Sequence, residues 1–210
     1  MPVNEIRRIN QSTILGTWLI NESWEELYEK AFLSEHELAE FDTFRNDTRK
    51  RQWLAYRTLI REMLGENYLL IYDGDGKPHI NEPGHFVSVS HSKDYAAVIV
   101  SKDKAVGIDV EMIHPRIEKV IGKFLSEEEI GAVGTAKRLE KLFVYWSGKE
   151  ALYKLDGKGA ADFSHQILFG PFEYETPGRL TGRIIRHGDE KQYTVNYEEM
   201  SEYMLAYAIE

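Results

Sequence analysis

The sequence predicts an α+β protein made of two similar α+β halves, the first over residues 1–104 and the second over residues 105–210. Three observations carry that expectation. Short apolar segments with residue-by-residue alternation, such as VGIDVE at 106–111 and FVSVSHS at 86–92, read as strands. Two segments led by tryptophan and closed by glycine, WLAYRTLIREMLG at 53–65 and WSGKEALYKLDG at 146–157, read as helices. Finally, the elements recur in the same order. ILGTWLI at 14–20 matches AVGIDVE at 105–111, the two helices match each other, and FVSVSHSKDYAAVIV at 86–100 matches YTVNYEEMSEYMLAYAI at 193–209 as strand, polar turn and strand. A repeat of roughly 100 residues is a duplicated domain, not a solenoid unit.

Taken in order, 14–20 is a glycine-punctuated strand. Residues 21–44 carry Trp24, Leu27, Phe32, Leu38 and Phe41 among acids and read as an amphipathic helix of the scaffold. YDGDGK at 72–77 has Asp-Gly turn chemistry, and the spacing of Asp73 and Asp75 lacks the glutamate that a calcium loop requires. FLSEEEI at 124–130 reads as a serine N-cap followed by acids in the first helical turn, which accounts for Glu127 and Glu128. DGKGAADFSH at 156–165 is a glycine-rich loop, but Gly157 and Gly159 are too few for a phosphate loop.

A chain of 210 residues can bury a sizeable core as one domain or two small ones. Its net charge of −9 argues against a general nucleic-acid binder, and an acidic partner would need a locally basic docking surface. There is no cysteine, which excludes disulfides and thiolate metal sites and agrees with a reducing cytosol. No apolar run reaches membrane-spanning length and no basic-then-apolar leader opens the chain, so the expectation is a cytoplasmic protein without a membrane partner. Basic residues gather at His114, Arg116, Lys119 and Lys123, and again at Arg45, Arg49, Lys50, Arg51 and Arg57. A solvated helix face looks the same.

The chemistry concentrates between Val106 and Lys154. On a strand Asp109 and Glu111 leave one face while Ile108 and Val110 leave the other. On the following helix Trp146, Glu150 and Lys154 are spaced by four and share a stripe. Each half of this pattern has an ordinary reading, as a half-buried edge strand or an i,i+4 surface pair. Together the three carboxylates make a hard oxygen site for Mg²⁺, with a lysine one turn further on for phosphate oxygens. In the first copy Trp18 and Ile20 stand where the second has Asp109 and Glu111, and Arg57 stands where it has Glu150. The metal is therefore expected on the second half, with the first half supplying cationic and polar groups to a ligand in the cleft between them. No HExxH, paired-cysteine or Ser-His-Asp spacing offers a rival chemistry.

GIDVE, WSGKEALYK, GKPHI at 76–80 and FVSVSHS at 86–92 resemble the signatures of the 4′-phosphopantetheinyl transferases, over roughly residues 40 to 160. The resemblance is to the larger, monomeric, surfactin-synthetase-activating class, whose halves are related by a pseudo-twofold axis. It implies transfer of the 4′-phosphopantetheine arm of coenzyme A to a serine of an apo carrier protein, a holo-[acyl-carrier-protein] synthase activity that releases 3′,5′-ADP. It further implies Mg²⁺ on Asp109, Glu111 and Glu150, with Lys154 at the α-phosphate and leaving group. Glu150 or a water would be the base. Lys77, Ser90 and His91 would bind the nucleotide, with His91 on the 3′-phosphate. Arg51 would join it there, with Arg45 as the fallback. Glu129 falls where the class has a further acid, in competition with its helix-capping role. The segment 114–123 would dock the carrier. Two other readings stay open: a Mg²⁺-dependent nucleotide-pyrophosphate hydrolase, and a non-catalytic module that binds coenzyme A or a carrier protein. The intact carboxylates with Lys154 speak against the module, and His91 with the basic segment speaks against the hydrolase.

Overall fold

A computed structural model describes residues 3–159 and 161–210, so Ala160 of the glycine-rich loop lies outside the described residues. The architecture is mixed α and β, and the chain divides into two compact units, Met1–Asp103 and Lys104–Glu210.

The first unit runs β1 (Val3–Arg8), β2 (Thr13–Leu19), α1 (Trp24–Tyr28), α2 (Glu35–Phe41), α3 (Asp47–Leu64), β3 (Leu70–Tyr72), β4 (Pro78–Ile80), β5 (Phe86–Ser92) and β6 (Tyr95–Ser101). Its main sheet is antiparallel in the order β1-β2-β6-β5, and β3-β4 form a separate hairpin around the predicted Asp-Gly turn. Helix α3 packs on β2 and β6, and the core gathers around Trp53, Leu54, Leu59, Ile60 and Val98.

Residues 21–44 do not form one helix. Ser23 and Ser34 each close a capping box, with Glu26 and Glu37, and Phe32 between them takes a left-handed φ of 41°. Two Ser-x-x-Glu sequences start two short helices. Helix α3 also begins earlier than its predicted tryptophan, because the Asn46 side chain accepts the Arg49 N–H and caps it. Arg57, which matches Glu150 in the sequence repeat, is a strut of this unit's interior. It is buried, pairs with Glu40 at 3.0 Å and Glu37 at 3.4 Å, and lies over the Trp53 ring. Arg61 adds a second pair to Glu37 at 2.8 Å.

The second unit runs β7 (Val106–Met112), two 3₁₀ turns (Pro115–Lys119 and Ile121–Lys123), α4 (Glu127–Val133), α5 (Arg138–Asp156), β8 (Ile167–Phe169), β9 (Gly178–Arg186), β10 (Asp189–Met200) and β11 (Tyr203–Ile209). Its five strands are antiparallel in the order β7-β11-β10-β9-β8, and α5 packs on β7 and β11. The strand order β7-β11-β10 within this unit repeats β2-β6-β5 within the first, with the long helix on the corresponding strands. Helix α5 starts two turns before the predicted Trp146. Lys141–Tyr145 are all buried, so the helix is enclosed nearly all round and shows no clean one-sided stripe. It ends as predicted at Gly157, in a left-handed conformation that suits glycine. No helix among the described residues is long and apolar enough to cross a membrane.

Candidate active site

Gly107 sets the distance between strand and helix. A Cβ built there would lie 1.9 Å from the Ala151 carbonyl oxygen and 2.7 Å from the Leu155 nitrogen, so only glycine lets the backbones of β7 and α5 approach this closely. The alternation of the strand then turns Gly107, Asp109 and Glu111 toward α5, while Ile108 and Val110 are fully buried on the other side. Along α5 the stripe Trp146, Glu150, Lys154 runs over that carboxylate face. Trp146 Nε1 donates to Glu111 Oε1 at 3.4 Å, and Lys154 Nζ donates to Asp109 Oδ1 at 2.8 Å.

Asp109 is only 3% exposed, so it is no solvated edge residue, and Glu111 and Glu150 are half-buried. Burial pushes the Glu150 carboxyl up to about 7. The Asp109 and Glu111 carboxylates push in the same direction, and the Lys154 ammonium opposes them. The sign for stability follows. A glutamate with a raised folded pKa keeps its proton in the native state from its ordinary 4.5 up to about 7, so its contribution to stability is lost as pH rises through that window. In metal-free buffer, Glu150→Gln should therefore be more stable than the parent chain at pH 8, by about 1–2 kcal/mol after allowing for partial exposure. Near pH 4 the two should be equal. Urea denaturation at both pH values checks this, and a difference that does not change with pH contradicts it.

Among the described residues no three His, Asp or Glu side chains form a ready-made metal cage. Here the Lys154 ammonium occupies an oxygen of Asp109. The donor set nevertheless fits Mg²⁺ in its chemistry. It consists of carboxylate oxygens alone, and their mutual repulsion at Glu150 is the excess negative charge that a hard cation relieves.

Two neighbours in the same sequence stretch are structural. Lys149 is fully buried and its Nζ donates to Glu129 Oε2 at 2.7 Å, to the Phe124 carbonyl at 2.7 Å and to the Phe163 carbonyl at 2.8 Å. Glu129 also closes the capping box of α4 and accepts the Phe169 N–H at 2.9 Å. Both Glu129 oxygens are thereby engaged, and the capping role accounts for this residue.

The first unit places His91 and Ser90 near the end of β5 and Lys77 at the β3-β4 hairpin. Ser90 is buried, and the Lys77 N–H donates to Asp73 Oδ1 at 2.9 Å. His91 Nε2 is 2.7 Å from Arg49 Nη1, and its ring stacks on Tyr56 with centroids 6.1 Å apart and planes 8° apart. Arg51 is committed elsewhere. It donates to the carbonyls of Ile20 at 2.5 Å and Glu22 at 2.8 Å, and pairs with Asp94 at 3.1 Å. Arg45 is exposed. The cation at His91 is thus Arg49, which sequence reasoning placed in a basic cluster without singling it out. Helical phase is the signal that distinguishes them. Positions 49, 52 and 56 share a face, from which Tyr56 stacks on His91, whereas Arg51 leaves the helix on another side and is taken up by the Ile20 and Glu22 carbonyls and Asp94.

Arg116, Lys119 and Lys123 are exposed on the two 3₁₀ turns, as are His114, which caps the first turn, and Val120 between them, while Ile117 is turned inward.

Residues 105–208, nearly the whole second unit, match the family model of the 4′-phosphopantetheinyl transferase superfamily. The chain is 36% identical over 141 residues to the 4′-phosphopantetheinyl transferase psf-1 of Bacillus pumilus, covering 62% of this chain and 60% of that protein. It is 32% identical over 118 residues to AcpT of Escherichia coli K12, covering 53% and 60%. Against HetI of Nostoc sp. PCC 7120 the identity is 30% over 161 residues, with 68% of each chain covered. The chain therefore spans about three fifths of the length of AcpT and psf-1 and about two thirds of HetI. With the carboxylate face of β7 and α5 lying inside the matched region, the chain belongs to the 4′-phosphopantetheinyl transferase superfamily.

Proposed function

We propose that this chain transfers the 4′-phosphopantetheine arm of coenzyme A to a serine of an apo carrier protein, with release of 3′,5′-ADP. Family membership supports the reading. The observation that carries it is the face-to-face placement of Asp109 and Glu111 on β7 with Glu150 and Lys154 on α5. Asp109, Glu111 and Glu150 would hold Mg²⁺, which when bound supplies charge neutralisation at a pyrophosphate. Lys154 brings an ammonium to the phosphate oxygens and the leaving group, where negative charge builds as the serine attacks. The serine proton goes to Glu150 or to a water beside it, the water being the better base wherever a bound cation weakens the basicity of the carboxylate.

For the adenosine end we assign His91 and Arg49 to the 3′-phosphate, with Ser90 and Lys77 on the nucleotide. Arg51 is left out of this assignment, a choice supported by its bonds to two carbonyls and its pairing with Asp94. The pseudo-twofold pairing of the halves, the cleft as ligand site and action as a monomer in the cytoplasm belong to the same proposal. The strand order shared by the two units supports the first of these.

The 3′-phosphate is remote from the reacting β-phosphate, so its ligands contribute binding common to ground and transition states. His91→Ala should raise the KM for coenzyme A by roughly ten- to a hundredfold, the worth of a charge-assisted hydrogen bond, with little change in kcat. Dephospho-coenzyme A, which lacks that phosphate, should be almost unaffected. Equal losses on both substrates would return His91 to a structural role. A second expectation concerns the carrier. Arg116→Glu with Lys119→Glu should raise the KM for an acidic carrier and leave coenzyme A nearly unchanged, since both side chains are exposed on the basic turns. An unchanged carrier KM at low salt places docking elsewhere.

A further inference from the structure

Trp146 lies on the α5 stripe of Glu150 and Lys154, yet it brings neither a charge nor a nucleophile to it. Its one polar atom, Nε1, donates to Glu111 Oε1 on the facing strand. A half-buried indole N–H usually finds some acceptor, so that bond alone says little. What holds the ring says more.

Two aromatic side chains from outside α5 grip the indole. Phe124, just after the second 3₁₀ turn, meets it edge-on with centroids 5.2 Å apart. Phe163, from the loop between α5 and β8, packs on it at 6.0 Å and is backed in turn by Tyr153 at 5.6 Å. One group fixes the backbone of both phenylalanines. The Lys149 ammonium donates to the Phe124 carbonyl at 2.7 Å and to the Phe163 carbonyl at 2.8 Å, and Glu129 takes its third donor. A fully buried lysine is costly unless every donor is paired, and here the pairing joins three separate segments around the indole.

The indole is thereby aimed at a carboxylate. At 3.4 Å its bond to Glu111 is long, so it orients the carboxylate without tying it down, which suits a group that must also turn to a cation. Metal-ligating carboxylates are themselves steered by hydrogen bonds from the surrounding layer, and losing such a partner costs about ten- to a hundredfold in metal affinity.

We infer that Trp146 is a positioning residue for Mg²⁺ binding. It presents Glu111 to the cation from an aromatic cage that Lys149 fixes through the Phe124 and Phe163 carbonyls. The inference rests on Asp109, Glu111 and Glu150 being the metal ligands. Phe163 of the glycine-rich loop acts at one further remove, through the indole.

The test is a Mg²⁺ titration of the ¹⁵N-labelled full chain with coenzyme A present and no carrier protein, read by the indole N–H signals. The Trp146 signal should shift saturably. Those of Trp18 and Trp53, which donate to Glu22 and Glu40 of the first unit, should move far less. Trp146→Phe keeps a ring in the cage and removes the donor. By calorimetry it should weaken Mg²⁺ by about tenfold, the low end of the range because the bond is long. Its kcat for transfer should approach the parent's at saturating Mg²⁺, a split that loss of packing alone does not produce. Phe163→Leu, which loosens the cage, should weaken Mg²⁺ in the same direction. If the parent binds Mg²⁺ saturably and Trp146→Phe binds it equally well, the positioning role is overturned and the ligand assignment stands. If the parent shows no saturable Mg²⁺ binding, the ligand assignment fails and takes this inference with it.

Discussion

Asp109→Ala and Glu150→Ala should each lower the rate of phosphopantetheine transfer by about a hundredfold or more, since charge stabilisation by a bound metal is worth several kcal/mol. Each change removes one of the three carboxylates on the facing sides of β7 and α5, and Asp109→Ala also removes the group that Lys154 touches. The loss should lie mainly in kcat, because the charge being stabilised develops in the transition state. Initial rates at saturating Mg²⁺ decide it, with circular dichroism confirming that both variants fold. Near-normal turnover in both would remove these residues from the chemistry.

Gly107→Ala should be the most damaging single-atom addition in the second unit. The new Cβ meets the Ala151 carbonyl at 1.9 Å, and backbone cannot swing aside as a long side chain can. Helix α5 must move off β7, at a cost of about 1–3 kcal/mol or more for overpacking. The same shift separates Lys154 from Asp109, so activity should fall along with stability. Gly131→Ala is the control. A Cβ there meets nothing within 4 Å, and alanine is the better helix former in α4 by roughly 0.5–1 kcal/mol. If Gly107→Ala unfolds at the same urea concentration as the parent chain, the close approach does not set the geometry of the site.

The shared faces of the candidate site were legible because they are written in short periodic elements. Alternation on a seven-residue strand and a spacing of four on a helix fix which side chains share a face, and the fold adds only the contact between those faces. Strand pairs β5-β6 and β10-β11, the Asp-Gly turn and the Ser126 cap were legible for the same reason: the signals are local. What escaped was set by tertiary context. Strand β1 reads VNEIRR, with charges and few apolar residues, and it lies at one end of its sheet. The sequence pattern of strand β9 is broken by Gly182, whose missing side chain leaves room for Phe169 and Leu152. The first turns of α5 are enclosed, which hides the period of the helix. Arg57 stood in a basic cluster whose ordinary reading is a solvated helix face, but it is buried and its charge is absorbed by Glu37 and Glu40. Arg49 and Arg51 look alike in the sequence, and only their phase on α3 decides which one meets His91.

The most direct test of the whole account is the intact mass of an apo carrier protein after incubation with this chain, coenzyme A and Mg²⁺. The account predicts that the carrier gains one phosphopantetheine on its serine, that 3′,5′-ADP appears in equal amount, and that both changes are about a hundredfold or more slower with the Glu150→Ala chain. A carrier of unchanged mass contradicts it: cleaved coenzyme A would then mark a hydrolase, and intact coenzyme A a binding module.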